Sequence, residues 1–257
     1  MIRKIILRLL DRIGSWLYPS FQLKADPSAR VRISQKGTLL KGEITIGKNA
    51  ELTIGDEVRF HGILHIGDGC KVVIGNHCEF SNVTFQLEGQ SEMNLAPYCI
   101  FDAPAHFPNK VRLEGSRLEL KEHVCIQAEI LVRFGGLLTI GAWSSVNYLS
   151  EIRCEERVSI GQYCMISYEV CIFDTNTHSV DWKERRERIP FRGSEIKKPE
   201  TKPVSIGDDV WIGKGATVLK GATIGSKSIV GIRTLVTSGD YPEESRILSL
   251  KPVTLKS

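Results

Sequence analysis

A chain of 257 residues with 42% hydrophobic and 25% charged residues has the composition of a globular protein of one large or two small domains. No run approaches the roughly 18 apolar residues that a membrane span needs, and a net charge of +4 without a basic, aromatic-rich cluster gives no nucleic-acid footprint. The seven cysteines form no CxxC pair and no zinc-type spacing; an odd total argues against a disulfide scaffold and for a reducing cytoplasm.

The chain opens on "MIRKIILRLLDRIGSWLYPSF", with Ile2, Ile5, Ile6, Leu9, Leu10, Ile13, Trp16 and Leu17 at helical spacing and Arg3, Lys4, Arg8 and Arg12 between them. Residues 1–30 are therefore expected to be a short amphipathic helix and linker. Two roles stay open for residues 1–20: a cap packed on the end of the fold, or a basic helix in peripheral contact with an anionic membrane surface.

From residue 31 the pattern changes. Ile46, Ile54, Ile66 and Ile74, each followed by glycine, recur at intervals of eight and twelve, while residues 86–130 fit any repeat least well. "TIGAWS", "SVNYLS" and "EIRCEE", then "SIGQYC", "MISYEV" and "CIFDTN", settle into six-residue units. After an interruption, residues 205–240 divide into six hexads with Ile206, Ile212, Val218, Ile224, Val230 and Val236 in the second slot. A period of six cannot be an amphipathic helix, but it suits a strand-and-corner unit stacked around a solenoid. Cys70, Cys78 and Cys164 occupy the small slot four places after a repeat isoleucine and should be core. Residues 31–240 are read as one all-β solenoid and residues 241–257 as a tail.

The interruption, residues 177–204, carries eight Lys or Arg and five Asp or Glu and fits no hexad. It is expected to be a long, solvated, basic loop on a rigid scaffold, a common place for function. His178 stands at its root. His61, His65, His77, His106 and His123 are read as surface or corner residues.

"MISYEVCIFDTNTH", the loop, and "KPVSIGDDVWIGKGATVLKGATIG", in that order and spacing, resemble the hexapeptide-repeat acyltransferases, in particular the galactoside and maltose acetyltransferases and the bacterial polysaccharide O-acetyltransferases. Residues 145–243 carry the resemblance; residues 31–144 share its general style. The resemblance implies a left-handed parallel β-helix, a homotrimer with active sites between neighbouring subunits, and acetyl-CoA as co-substrate with no metal. It further implies a sugar hydroxyl as acceptor, in a cell-surface polysaccharide, a lipopolysaccharide or a precursor. N-acetylation of an amino sugar and a non-catalytic solenoid scaffold remain alternatives.

By the same resemblance His178 is the general base, since a neutral imidazole can take the proton of an attacking alcohol near neutral pH. Asn147 falls where an asparagine contacts acceptor or intermediate, and it could equally be a stacked corner asparagine. Glu155 lies near an acidic residue that binds an acceptor hydroxyl, against a plain solvated glutamate. Asp174 could accept a hydrogen bond from the imidazole or the sugar, and Trp211 matches a tryptophan that lines the acyl region. Gly213, Lys214, Gly231 and Arg233 are candidate CoA contacts, although Ile232 and Arg233 stand where relatives carry small residues and the usual glycine- and alanine-rich ending is missing.

Overall fold

Aliphatic residues that recur once per short strand are buried together only if successive strands stack in register. A computed structural model describes residues 21–102, 109–188 and 197–249, and it shows this stacking from the strand Phe21–Ala25 to the strand Arg246–Ile247. The strands therefore begin before residue 31 and continue past residue 240. The expected N-terminal helix at residues 1–20 lies outside the described residues. The chain winds as a left-handed parallel β-helix, and all its strand pairs within the coils are parallel. Among the described residues one helix is present, Trp182–Arg188, started by Asp181, whose Oδ1 accepts the Lys183 N–H at 2.8 Å.

Ten stacked strands, from Arg30–Ile33 to Gly239–Tyr241, make the first face. In the C-terminal coils the second face holds Ser145–Val146, Met165–Ile166, Trp211–Ile212, Ile229–Val230 and Arg246–Ile247. The third holds Glu151–Cys154, Cys171–Phe173, Thr217–Val218 and Leu235–Val236. Ile206 pairs with Ile224, a true three-hexad coil of 18 residues, whereas Ile140 pairs with Ile160, a coil of 20. The two additional residues sit at the corner Glu155–Glu156.

The first half is built differently and no less regularly. Leu39–Ile46, Arg59–Ile66 and Glu79–Glu88 run through the corner between the second and third faces as single bent strands. The bend is made at Gly42, which has φ +103, and a Cβ there would lie 2.0 Å from the Gly62 carbonyl oxygen. Glycine is the one residue that meets both the dihedral and the close approach.

Inside, the aliphatic slots form continuous columns, and Phe60, Phe80, Phe85 and Phe101 pack with centroids 5.0–5.7 Å apart. Cys70, Cys78 and Cys164 are fully buried, as expected for the small slot. Where that slot holds serine, the hydroxyl bridges coils: Ser144 Oγ donates to the Gly161 carbonyl at 2.8 Å and accepts the Cys164 N–H at 2.9 Å. Along the corner between the first and second faces, His77, Tyr98, His123 and Trp143 all have positive φ and stack with centroids 4.7, 4.6 and 3.7 Å apart. Stacking offsets the cost of a left-handed conformation for a bulky residue.

Gly42→Ala is expected to lower unfolding free energy by about 2–4 kcal/mol, from a strained dihedral and an overpacked bend. Urea unfolding followed by circular dichroism measures it; a loss under about 0.5 kcal/mol would contradict this account of the bend.

Candidate active site

The insertion leaves the solenoid at the corner after Cys171–Phe173 and re-enters before Val204–Ile206, so the first-face ladder closes beneath it, with Val158 opposite Val204 and Ser159 opposite Ser205. Its two ends are joined. Thr175 and Thr201 form an antiparallel bridge, the Asn176 N–H donates to the Glu200 carbonyl at 3.1 Å, and the Lys202 N–H donates to the Asp174 carbonyl at 2.9 Å. His178 is the second residue past Asn176, exposed, with its N–H on the Asn176 carbonyl at 2.7 Å. A stiff neck thus presents a solvent-facing imidazole.

Under the neck lies a buried polar cluster. Asp174 is fully buried and its carboxylate accepts three consecutive backbone N–H groups, from Glu155, Glu156 and Arg157, each at 2.8 Å. Burial is the largest influence on Asp174 and pushes its carboxyl above the usual aspartate range, against those three donors and the Cys154 thiol. Burial likewise raises the Cys154 thiol well above its ordinary value, with the Asp174 charge adding to it. Asp174 is hydrogen-bonded to the preceding coil; no contact joins it to the His178 ring.

Glu155 is not a solvated glutamate. It is 1% exposed, paired with Arg133 (Nε to Oε1 3.1 Å, with a closer contact from Nη2), and its Oε2 accepts the Thr175 hydroxyl at 2.8 Å. Glu156 takes the other arm of the neck, accepting the Thr201 hydroxyl at 2.6 Å. Arg133, Thr175, Glu156, Glu200 and Thr201 were not singled out from sequence. Their signal is coil length: 22 residues from Arg133 to Glu155 and 20 from Glu155 to Thr175 bring all three to one corner.

The remaining expected residues stand on another edge, between the second and third faces. Asn147 donates its amide Nδ2 to the Ile166 carbonyl at 2.9 Å, the ladder of a stacked corner asparagine, and keeps one amide hydrogen free of that bond. One coil on, Tyr168 stacks beside Tyr148 at 5.4 Å and lies under Lys214, whose Nζ is 4.9 Å from the ring and 3.1 Å from Glu169. Gly213 serves the stack itself, since a Cβ there would be 2.8 Å from the Ile232 nitrogen. At Gly231 a Cβ would meet the Leu248 side chain at 2.6 Å. Arg233 is exposed in the left-handed region at φ 52, its N–H on the Lys214 carbonyl. Trp211 lies half-exposed on the second face beside Met165, its Nε1–H directed at Ser167 Oγ at 3.4 Å.

One chain therefore divides the expected residues between two edges. Val170 to Asp174 crosses the third face between them, roughly 13 Å at about 3.3 Å per residue. Among the described residues no hydrogen bond or ion pair joins His178 to Asn147, Lys214 or Arg233.

Residues 203–236 match the family model described as bacterial transferase hexapeptide (six repeats). That segment thus carries the hexapeptide pattern of bacterial transferases, and the match begins where the loop re-enters the solenoid. No curated protein sequence matches it. Among solved structures it is similar to the polysialic-acid-specific acetyltransferase NeuO, at 17% identity over 90% of this chain and 84% of that one, TM-score 0.47. It is similar to the polysialic acid O-acetyltransferase OatWY at 19% identity over 87% and 80% of the two chains, TM-score 0.34. The hexapeptide-repeat acetyltransferase VCA0836 of Vibrio cholerae O1 biovar eltor, complexed with acetyl coenzyme A, is 26% identical over 45% of this chain and 57% of its own, TM-score 0.36.

Asp174→Ala is expected to cost about 3 kcal/mol or more, because it leaves three backbone donors without their acceptor at about 1–3 kcal/mol each, less than additively. Asp174→Asn keeps one acceptor oxygen and should lose roughly half as much. Chemical unfolding of both variants checks the order; equal stability of Asp174→Ala and wild type would refute the capping role.

Proposed function

We propose that the chain is an acetyl-CoA-dependent O-acetyltransferase whose acceptor is a sugar hydroxyl of a cell-surface polysaccharide or its precursor. One observation carries this reading: an exposed histidine stands at the root of a clamped loop that re-enters the solenoid at a transferase hexapeptide segment.

An alcohol attacks a thioester slowly until its proton has somewhere to go. In this reading a neutral His178 ring nitrogen takes that proton as the sugar oxygen bonds to the acetyl carbonyl carbon. The tetrahedral intermediate collapses, the carbon–sulfur bond breaks, and the imidazolium returns the proton to the departing CoA sulfur. Asn147, through its remaining amide hydrogen, donates to the oxyanion. Lys214 and Arg233 offer cations to the CoA phosphates, with Gly213 and Gly231 keeping the corner slim along the pantetheine arm. Trp211 and Met165 give the acyl end an apolar wall.

Because the two sets of residues occupy different edges, a complete site needs a second copy of the chain, with the His178 edge of one beside the Asn147 edge of the next. Large apolar side chains left exposed in the last coils, Met165, Trp211, Leu235 and Leu248, support such an assembly, which we take to be a homotrimer. The seven free cysteines suit a reducing cytoplasm, with residues 1–20 as the peripheral membrane contact.

With acetyl-CoA and a panel of oligosialic acids, galactosides and amino sugars, His178→Ala should lower turnover roughly 10²- to 10⁴-fold without changing assembly. Mixing His178→Ala with Asn147→Ala, unfolding and reassembling them together should restore part of the activity, since some mixed interfaces pair two intact edges. Wild-type turnover in assembled His178→Ala rejects the base; absence of recovery in mixed assemblies rejects the shared site. Acetylation confined to amines would move the reaction to N-acetyl transfer.

A further inference from the structure

We infer that Arg133 and Glu155 are positioning residues, which aim the His178 imidazole through the hydroxyl of Thr175. The inference rests on His178 being the base and adds the device that holds it. Three successive coils contribute one group each: Arg133 from the end of Glu129–Arg133, Glu155 from the corner after Glu151–Cys154, and Thr175 from the corner after Cys171–Phe173.

The chemistry of each group fixes the direction of the chain of bonds. Arg133 only donates and the Glu155 carboxylate only accepts, so Oε1 is taken by the guanidinium and Oε2 is left for one donor. The Thr175 hydroxyl hydrogen must therefore point at Glu155. Its lone pairs are turned toward the loop, where Thr175 Oγ1 accepts the Thr177 N–H at 3.0 Å. Thr177 has φ +62, a conformation that a β-branched residue adopts only when its surroundings hold it. The His178 backbone follows directly. A buried ion pair contributes little net stability compared with apolar packing of the same volume, so its presence at a corner calls for another reason. Here the reason is geometric: a carboxylate with both oxygens committed fixes one hydroxyl rotamer, and that rotamer fixes the turn carrying the imidazole. Asp174 and Glu156 clamp the coil and the exit arm; they do not reach this turn.

The test uses the full chain with Thr175→Val, which keeps shape and removes the hydroxyl, and Thr175→Ser, which restores it. Two readouts are taken: amide hydrogen exchange of Thr177 and His178, and kcat and KM for acetyl-CoA with the panel sugar that the wild-type chain acetylates. Thr175→Val should exchange those amides at least about tenfold faster and lose roughly 10- to 100-fold in kcat, the scale of a misplaced catalytic group. KM for acetyl-CoA should stay within about twofold, and Thr175→Ser should return both readouts to within about threefold of wild type. Wild-type exchange and kcat in Thr175→Val would overturn the inference, as would a change that Thr175→Ser fails to reverse. Wild-type transfer by His178→Ala would remove the base itself, while the exchange readout still judges the clasp.

Discussion

Backbone hydrogen bonding from coil to coil is the constraint on which the rest of the molecule depends. The Gly141 N–H donates to the Ile160 carbonyl, Gly161 to Ile206 and Gly207 to Ile224, at 2.8 Å each. A strand in such a stack cannot gain or lose a residue without turning its buried side chains outward. Extra length is accommodated only at corners. A single corner absorbs the whole basic insertion, while the ladder on either side of it keeps register, Val158 to Val204 and Ile160 to Ile206.

That constraint also explains why chemistry collects at the corners. The faces are committed to ladders and the interior to aliphatic columns, whereas a corner residue is free at its tip and held at its base. The His178 corner uses this freedom most fully. Asp174 secures the preceding turn, Glu156 secures the returning arm through Thr201, and Glu155, itself neutralised by Arg133, secures Thr175. Glu155 and Asp174, which by sequence alone could have bound substrate, help to hold the loop. The exposed histidine is what they hold. The aromatic edge from His77 to Trp143 shows the opposite use of a corner, where ring faces are satisfied by one another.

The solenoid, the loop and the position of His178 at its root were legible in the sequence because hexads announce themselves within a few dozen residues and a long interruption stands out against them. The roles of Glu155 and Asp174 were not, because their partners lie a full coil away and the coils around them are 20 residues long, not 18. Once Ile140 is seen to pair with Ile160, Asp174 must lie against the corner of Glu155 and Glu156. Coil-to-coil steps of 21, 25 and 20 residues link His77, Tyr98, His123 and Trp143. Gly213 carries a different lesson: a small residue beside a candidate cofactor groove is already required by the backbone of the neighbouring coil, whereas a Cβ at Gly231 would meet chiefly the end of the Leu248 side chain. The separation of His178 from Asn147 onto two edges follows from corner order and was visible only after every strand had been assigned a face.

In the shared-site proposal the imidazole of one copy and the Lys214 corner of another flank the same thioester. A crystal structure of the chain with CoA bound tests it most directly. The CoA sulfur is expected within about 4 Å of a His178 ring nitrogen, with the pantetheine arm running along Gly213, Lys214 and Gly231 of the adjacent copy. CoA held within a single copy, or with its sulfur far from His178, would contradict it.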